Sequence, residues 1–120
     1  MADLEQTPAS GAYAFFADLI PDLAERSREF IVELDVIDEE IRTLYADQIR
    51  DMVASLAEAP TARNADTIRA HAHSLEGTGG TMGFPEISIV GWELSQAVKA
   101  ADWERCSAIA ERLARWSRTL

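Results

Sequence analysis

Apolar residues recur every three or four positions through most of this 120-residue chain, a period that admits helices and little else. Ile37, Ile41, Leu44, Tyr45, Met52 and Leu56 trace one stripe, which predicts an amphipathic helix of about 20 residues ending before Pro60. After a polar linker from Thr61 to Asn64, Ile68, Ala72, Leu75, Gly79 and Met82 trace a second. Pro85 stands where a first helical turn tolerates proline, and Ile87, Val90, Gly91, Leu94 and Val98 follow it. Asp102 can cap a last helix that carries Trp103, Cys106, Ile109, Leu113, Trp116 and Leu120 on one face. Four such helices with short connections predict an all-α fold, an antiparallel up-and-down four-helix bundle.

Ahead of the bundle the signal is weaker. Tyr13, Phe15, Phe16, Leu19 and Ile20 form an apolar cluster that Pro21 interrupts, and Leu23, Phe30, Ile31 and Leu34 continue at helical spacing. One or two extra N-terminal helical segments are expected over about residues 11–34, although Phe30 to Leu34 also reads as an extended run. Residues 1–10 read as a flexible tail and 11–120 as one domain, with its core bundle at about 37–118.

The balance of 11 basic against 21 acidic side chains gives a formal net charge of −10. A surface of that sign repels phosphate backbones and anionic lipid, so neither nucleic acid nor membrane is expected as a partner. At 48% hydrophobic residues the chain is too apolar for a disordered acidic tail. The start, MADLEQTPAS, has no basic or apolar segment of the secretory kind. The single cysteine, Cys106, can form no internal disulfide and falls on the core stripe, so it reads as a buried structural thiol suited to a reducing, cytoplasmic setting.

Only two histidines are present, both in RAHAHSLEGTGGTMG. With Ile68 at zero and about 100° per residue, the apolar stripe clusters near zero, His71 falls near about 300° and His73 near about 140°. His71 is therefore expected at a helix–helix seam with one nitrogen hydrogen-bonded, and His73 in solvent. Arg69, Glu76, Gly77 and Gly80 surround His73 on the same wheel. An interior glycine costs a helix about 1 kcal/mol relative to alanine. Propensity alone would therefore end the helix at Gly77 and leave GTGG as a loop. The competing reading has Gly79 allowing close helix packing, while Gly77 and Gly80 let another protein approach His73.

Other chemistries find little support. The glycine-rich stretch lacks the GK[ST] ending of a phosphate loop and follows a helical stripe rather than a strand. His73 and Glu76 share a face, but no Glu-x-x-His pair for a carboxylate metal site occurs. There is no nucleophile elbow and no activated cysteine. A small metal or redox bundle is the least supported reading.

The segment Ala72-His73-Ser74-Leu75-Glu76-Gly77, followed by Gly83 and then by Ile87, Val90 and Leu94, resembles the histidine phosphotransfer (HPt) domain of two-component phosphorelays. That family's pattern is Ala-His-x-Leu-Lys-Gly, a glycine six residues further on, and a leucine-patterned helix. The likeness covers about residues 37 to 118. It implies a phosphocarrier without independent turnover, in which His73 accepts a phosphoryl group through Nε2 from a receiver-domain aspartate and passes it to another receiver. The partners implied are response-regulator receiver domains, a hybrid histidine kinase, or both. No cofactor or metal is implied for the chain itself, Mg²⁺ residing on the receiver. A monomeric, free-standing carrier is the expectation.

Phosphoryl transfer asks mainly for in-line positioning and charge stabilisation. A free imidazole, with a pKa of about 6.5, is a competent nucleophile near neutrality. One departure from the pattern stands out: Glu76 occupies the place of the family lysine. A glutamate repels the incoming phosphoryl group and favours an imidazolium, which cannot attack. Arg69, one turn before His73, could supply the missing positive charge, and Lys99, the sole lysine, is a second candidate. The departure keeps an alternative open, an HPt-like binding module that docks and inhibits a receiver or kinase without being phosphorylated. The charge is also uneven: residues 1–60 hold 14 acidic and 4 basic side chains, residues 61–120 hold 7 of each. The half with the histidine is thus neutral.

Overall fold

A computed structural model describes residues 12–29, 39–80, 82 and 84–120. Among them are six helices and no strand: α1 (Tyr13–Phe16), α2 (Leu23–Glu29), α3 (Glu39–Leu56), α4 (Ala65–Thr78), α5 (Pro85–Lys99) and α6 (Trp103–Ser117). The last four pack each against the next in chain order, and α6 closes back on α3, which is the expected antiparallel bundle. The tail, the run from Phe30 to Leu34, Ile37, Thr81 and Gly83 lie outside the described residues.

Local chemistry sets the helix starts. The Asn64 carboxamide oxygen accepts the Thr67 N–H at 3.2 Å, and an Asp102 carboxylate oxygen accepts that of Arg105 at 3.1 Å. Each satisfies one donor that a first turn leaves without a partner. Both caps follow a residue with positive φ, Arg63 at 53° and Ala101 at 54°, so the two turns reverse the chain by the same device. Pro85 occupies the first turn of α5, where its missing N–H costs nothing.

The core is continuous across all six helices. Ile49 and Leu56 of α3, Ile68 and Leu75 of α4, Ile87 and Leu94 of α5, and Ile109, Leu113 and Trp116 of α6 are fully buried. Cys106 is buried among them, which pushes its thiol pKa up. One expectation fails at the start of α3. Ile41 and Leu44 are 50% and 64% exposed, although the stripe placed them in the core. The buried stripe begins only at Tyr45, and the first turns of α3 instead line an open groove with Thr78 and Met82.

The N-terminal helices are tied to the side of the bundle. Phe16, Ile20 and Leu23 bury their side chains completely. Arg112 of α6 donates to the Phe15 carbonyl at 3.1 Å and to the Asp18 carboxylate at 2.8 Å, and Arg105 donates to the Leu19 carbonyl at 3.1 Å. The Phe15 and Leu19 carbonyls lie in and just after the single turn of α1, and the two guanidinium groups supply them with donors.

Candidate functional site

The site is built on α4 and depends on how closely α5 approaches it. Helix α4 does not stop at Gly77; it runs on to Thr78, and the Gly79 N–H bonds to the Leu75 carbonyl at 2.9 Å. Propensity fails here because tertiary contact outweighs it. A Cβ on Gly79 would lie 2.6 Å from the Ser88 nitrogen, so only glycine lets the two backbones meet. The same seam has a second contact, at a position that its place on the apolar stripe does not distinguish. A Cβ on Gly91 would lie 2.5 Å from the Glu76 nitrogen and 2.8 Å from the Ala72 oxygen. Gly91 thus sits directly behind the turn that carries His73.

His73 is exposed and His71 half-buried, so the two imidazoles diverge as the helical wheel requires. Neither takes part in the hydrogen bonds found among the described residues, and the partner expected for His71 is not among them. Glu76 and Gly77 are both exposed in the next turn along from His73.

The three glycines expected around this turn have three different roles. Gly79 serves packing. Gly77 faces open space, with nothing within 4 Å of where its Cβ would be. Gly80 does not belong to the open face: it is buried, and its N–H donates to the Ser88 hydroxyl at 2.7 Å. The angle of about 100° per residue stops applying where α4 ends, so the wheel misplaced it. Because no internal contact requires glycine at 77, Gly77→Ala is expected to stabilise the fold by up to about 1 kcal/mol. Chemical denaturation of the two proteins checks this.

Arg69 also differs from expectation. Its guanidinium pairs with Asp66 at 2.7 Å, one turn towards the start of α4, and so reaches away from His73. Both side chains are more than half exposed, and such a pair contributes little and exchanges readily. Lys99 is exposed at the end of α5.

Beneath the site the turn from α4 to α5 rests on aromatic rings. The Tyr45 hydroxyl and the Thr78 hydroxyl share a hydrogen bond at 2.8 Å, Tyr45 stacks on Phe84 at 5.9 Å between centroids, and Phe84 meets Trp116 edge-on at 5.6 Å. Among the described residues no cluster of three or more His, Cys, Asp or Glu could hold a metal ion. None of the described helices is long and apolar enough to cross a membrane.

No curated protein and no solved structure matches the chain. A family model described as the Hpt domain matches residues 40–119, which takes in α4, α5 and α6 whole and nearly all of α3. The helical bundle, the exposed imidazole and this match agree, and the chain belongs to the Hpt domain family.

Proposed function

We propose that the protein is a cytoplasmic phosphocarrier in which His73 takes a phosphoryl group from a receiver-domain aspartate and gives it to a second receiver. The observation that carries this reading is the pairing of exposed His73 with exposed Gly77, a glycine that no internal contact requires. Family membership implies histidine phosphotransfer in a phosphorelay and contact with receivers or kinases. In the transfer, the Nε2 lone pair forms the N–P bond as the acyl-phosphate O–P bond breaks, and the aspartate leaves as a carboxylate. The imidazole must be neutral to attack, and its other nitrogen keeps the proton. Mg²⁺ belongs to the receiver. The protein's share is a nucleophile held on a rigid helix with space around it.

Glu76 and the Arg69–Asp66 pair favour a second reading, since together they leave the His73 turn without a committed cation. In that reading the domain docks a receiver or kinase and blocks it without being phosphorylated.

Transfer from a labelled phospho-receiver separates the two. Acid-labile label is expected on wild type and not on His73→Ala, and the label on Glu76→Lys is expected to outlast that on wild type. Label surviving on His73→Ala would remove the proposed site. Stable receiver binding without label would establish the blocking module.

A further inference from the structure

The α4–α5 seam determines what stands beside His73. Gly91 lies against Ala72 and Glu76, so the next residue of α5, Trp92, is level with the His73 turn of α4. His73 follows Ala72 as Trp92 follows Gly91, and each step turns the side chain by about 100° from the seam. In each helix the buried residues, Leu75 in α4 and Val90 and Leu94 in α5, lie on the other side of that seam. Because the helices run antiparallel, the two steps carry His73 and Trp92 to the same outward side. Trp92 is 41% exposed, although tryptophan is among the residues that gain most from burial.

The indole is also held in place. The Arg26 guanidinium lies over its ring, 5.2 Å from the centroid. Arg26 is bound by Glu93 at 2.8 Å and reaches Asp22 at 3.5 Å, while Glu93 accepts a second bond from Arg105 at 2.9 Å. Helix α2, which supplies Arg26, lies outside the residues that the family model matches. Lys99 is exposed two helical turns beyond Trp92 on the same side of α5.

An exposed tryptophan fixed by a bound arginine is a pre-organised contact, since little side-chain freedom remains to be lost on association. Tryptophan and arginine are also the residues that most often dominate an interface. We propose that Trp92, locked by Arg26, is the specificity-determining anchor for the receiver domain that exchanges phosphoryl groups with His73. The receiver would offer apolar surface to the indole beside its acidic phosphorylation pocket, and Lys99 would meet the acidic rim, while Arg26, neutralised by Glu93 and Asp22, holds the indole. On this account the N-terminal helices have a function, to position Trp92. The inference rests on the phosphocarrier reading.

Receiver domains from the source genome, expressed singly and phosphorylated with acetyl phosphate, serve as donors, and the fastest is carried forward. Its transfer rate is measured against receiver concentration for wild type, Trp92→Ala, Trp92→Phe and Arg26→Ala. Direct labelling by phosphoramidate, which needs no docked protein, is measured beside it. Trp92→Ala is expected to raise the half-saturating receiver concentration by about ten-fold or more, with the maximal rate, phosphoramidate labelling and helical circular dichroism unchanged. Trp92→Phe should recover most of the loss, and Arg26→Ala should show part of it. An unchanged half-saturating concentration in Trp92→Ala would overturn the anchor and leave His73 as acceptor. Equal losses of maximal rate and phosphoramidate labelling would also overturn it, because Trp92 would then support α4 rather than dock a partner. Should wild type take no label on His73 from either donor, the phosphocarrier reading fails and the anchor with it.

Discussion

Truncating Trp116 to alanine is expected to cost the domain about 3–5 kcal/mol, the range for removing a large aromatic side chain from a packed core. Trp116 has no exposed surface, and it meets Phe84 edge-on at 5.6 Å. Phe84 is the residue from which α5 starts, and its N–H closes the turn on the Gly79 carbonyl at 2.7 Å. The loss would therefore extend beyond the transfer of an indole out of water. With the indole gone, Phe84 and the Tyr45 ring stacked on it lose their floor, and with them the support for Thr78 at the end of α4. Urea denaturation should show a lower midpoint with a similar slope, because the change lies in the folded state. A cost under about 1 kcal/mol would mean that the core collapses around the gap, and that the aromatic chain does not hold up the turn.

Gly91→Ala should destabilise the fold by about 1–3 kcal/mol, although alanine is the better helix former. The opposing terms are unequal. Helix propensity would favour alanine by about 1 kcal/mol, but the new Cβ would sit 2.5 Å from the Glu76 nitrogen and 2.8 Å from the Ala72 oxygen. Both are backbone atoms in the middle of a helix, with no rotamer to change, so α5 must move away from α4. The seam then opens behind the His73 turn, and slower phosphoryl transfer should accompany the loss of stability. Gly77→Ala is the natural control, since it sits in the same region and is expected to change stability with the opposite sign. If Gly91→Ala were as stable as wild type, the close approach of the two helices would not be what holds the His73 turn.

Much of the bundle was legible because helical period and burial are the same signal read twice. Ile68, Ala72 and Leu75 fell on one stripe, and all three are buried. The exposure of His73 follows from the same arithmetic. Where the period stops, so does the reading. Gly80 lies beyond the end of α4 and turned inward to Ser88, and no wheel could have shown it. Ile41 and Leu44 continue the stripe of α3, but no element among the described residues covers them, and periodicity does not record where a neighbouring helix ends. Arg69 was placed on the correct face, and the direction of its guanidinium was then set by Asp66.

Amino-acid order alone determined the helical class, the four amphipathic stripes, the cap at Asp102 and the divergence of the two histidines, since each depends on neighbours within about one turn. The tertiary structure decided the rest. It made Gly79 and Gly91 the contacts that bring α5 against the His73 turn, left Gly77 facing open space, and set Arg26 over Trp92. Each depends on what a different helix places, or does not place, against the residue, and that is fixed only when one helix packs on another. A glycine in a helix reads the same in sequence whether a backbone presses on it or nothing does; the difference lies in the distance from its absent Cβ to the next helix.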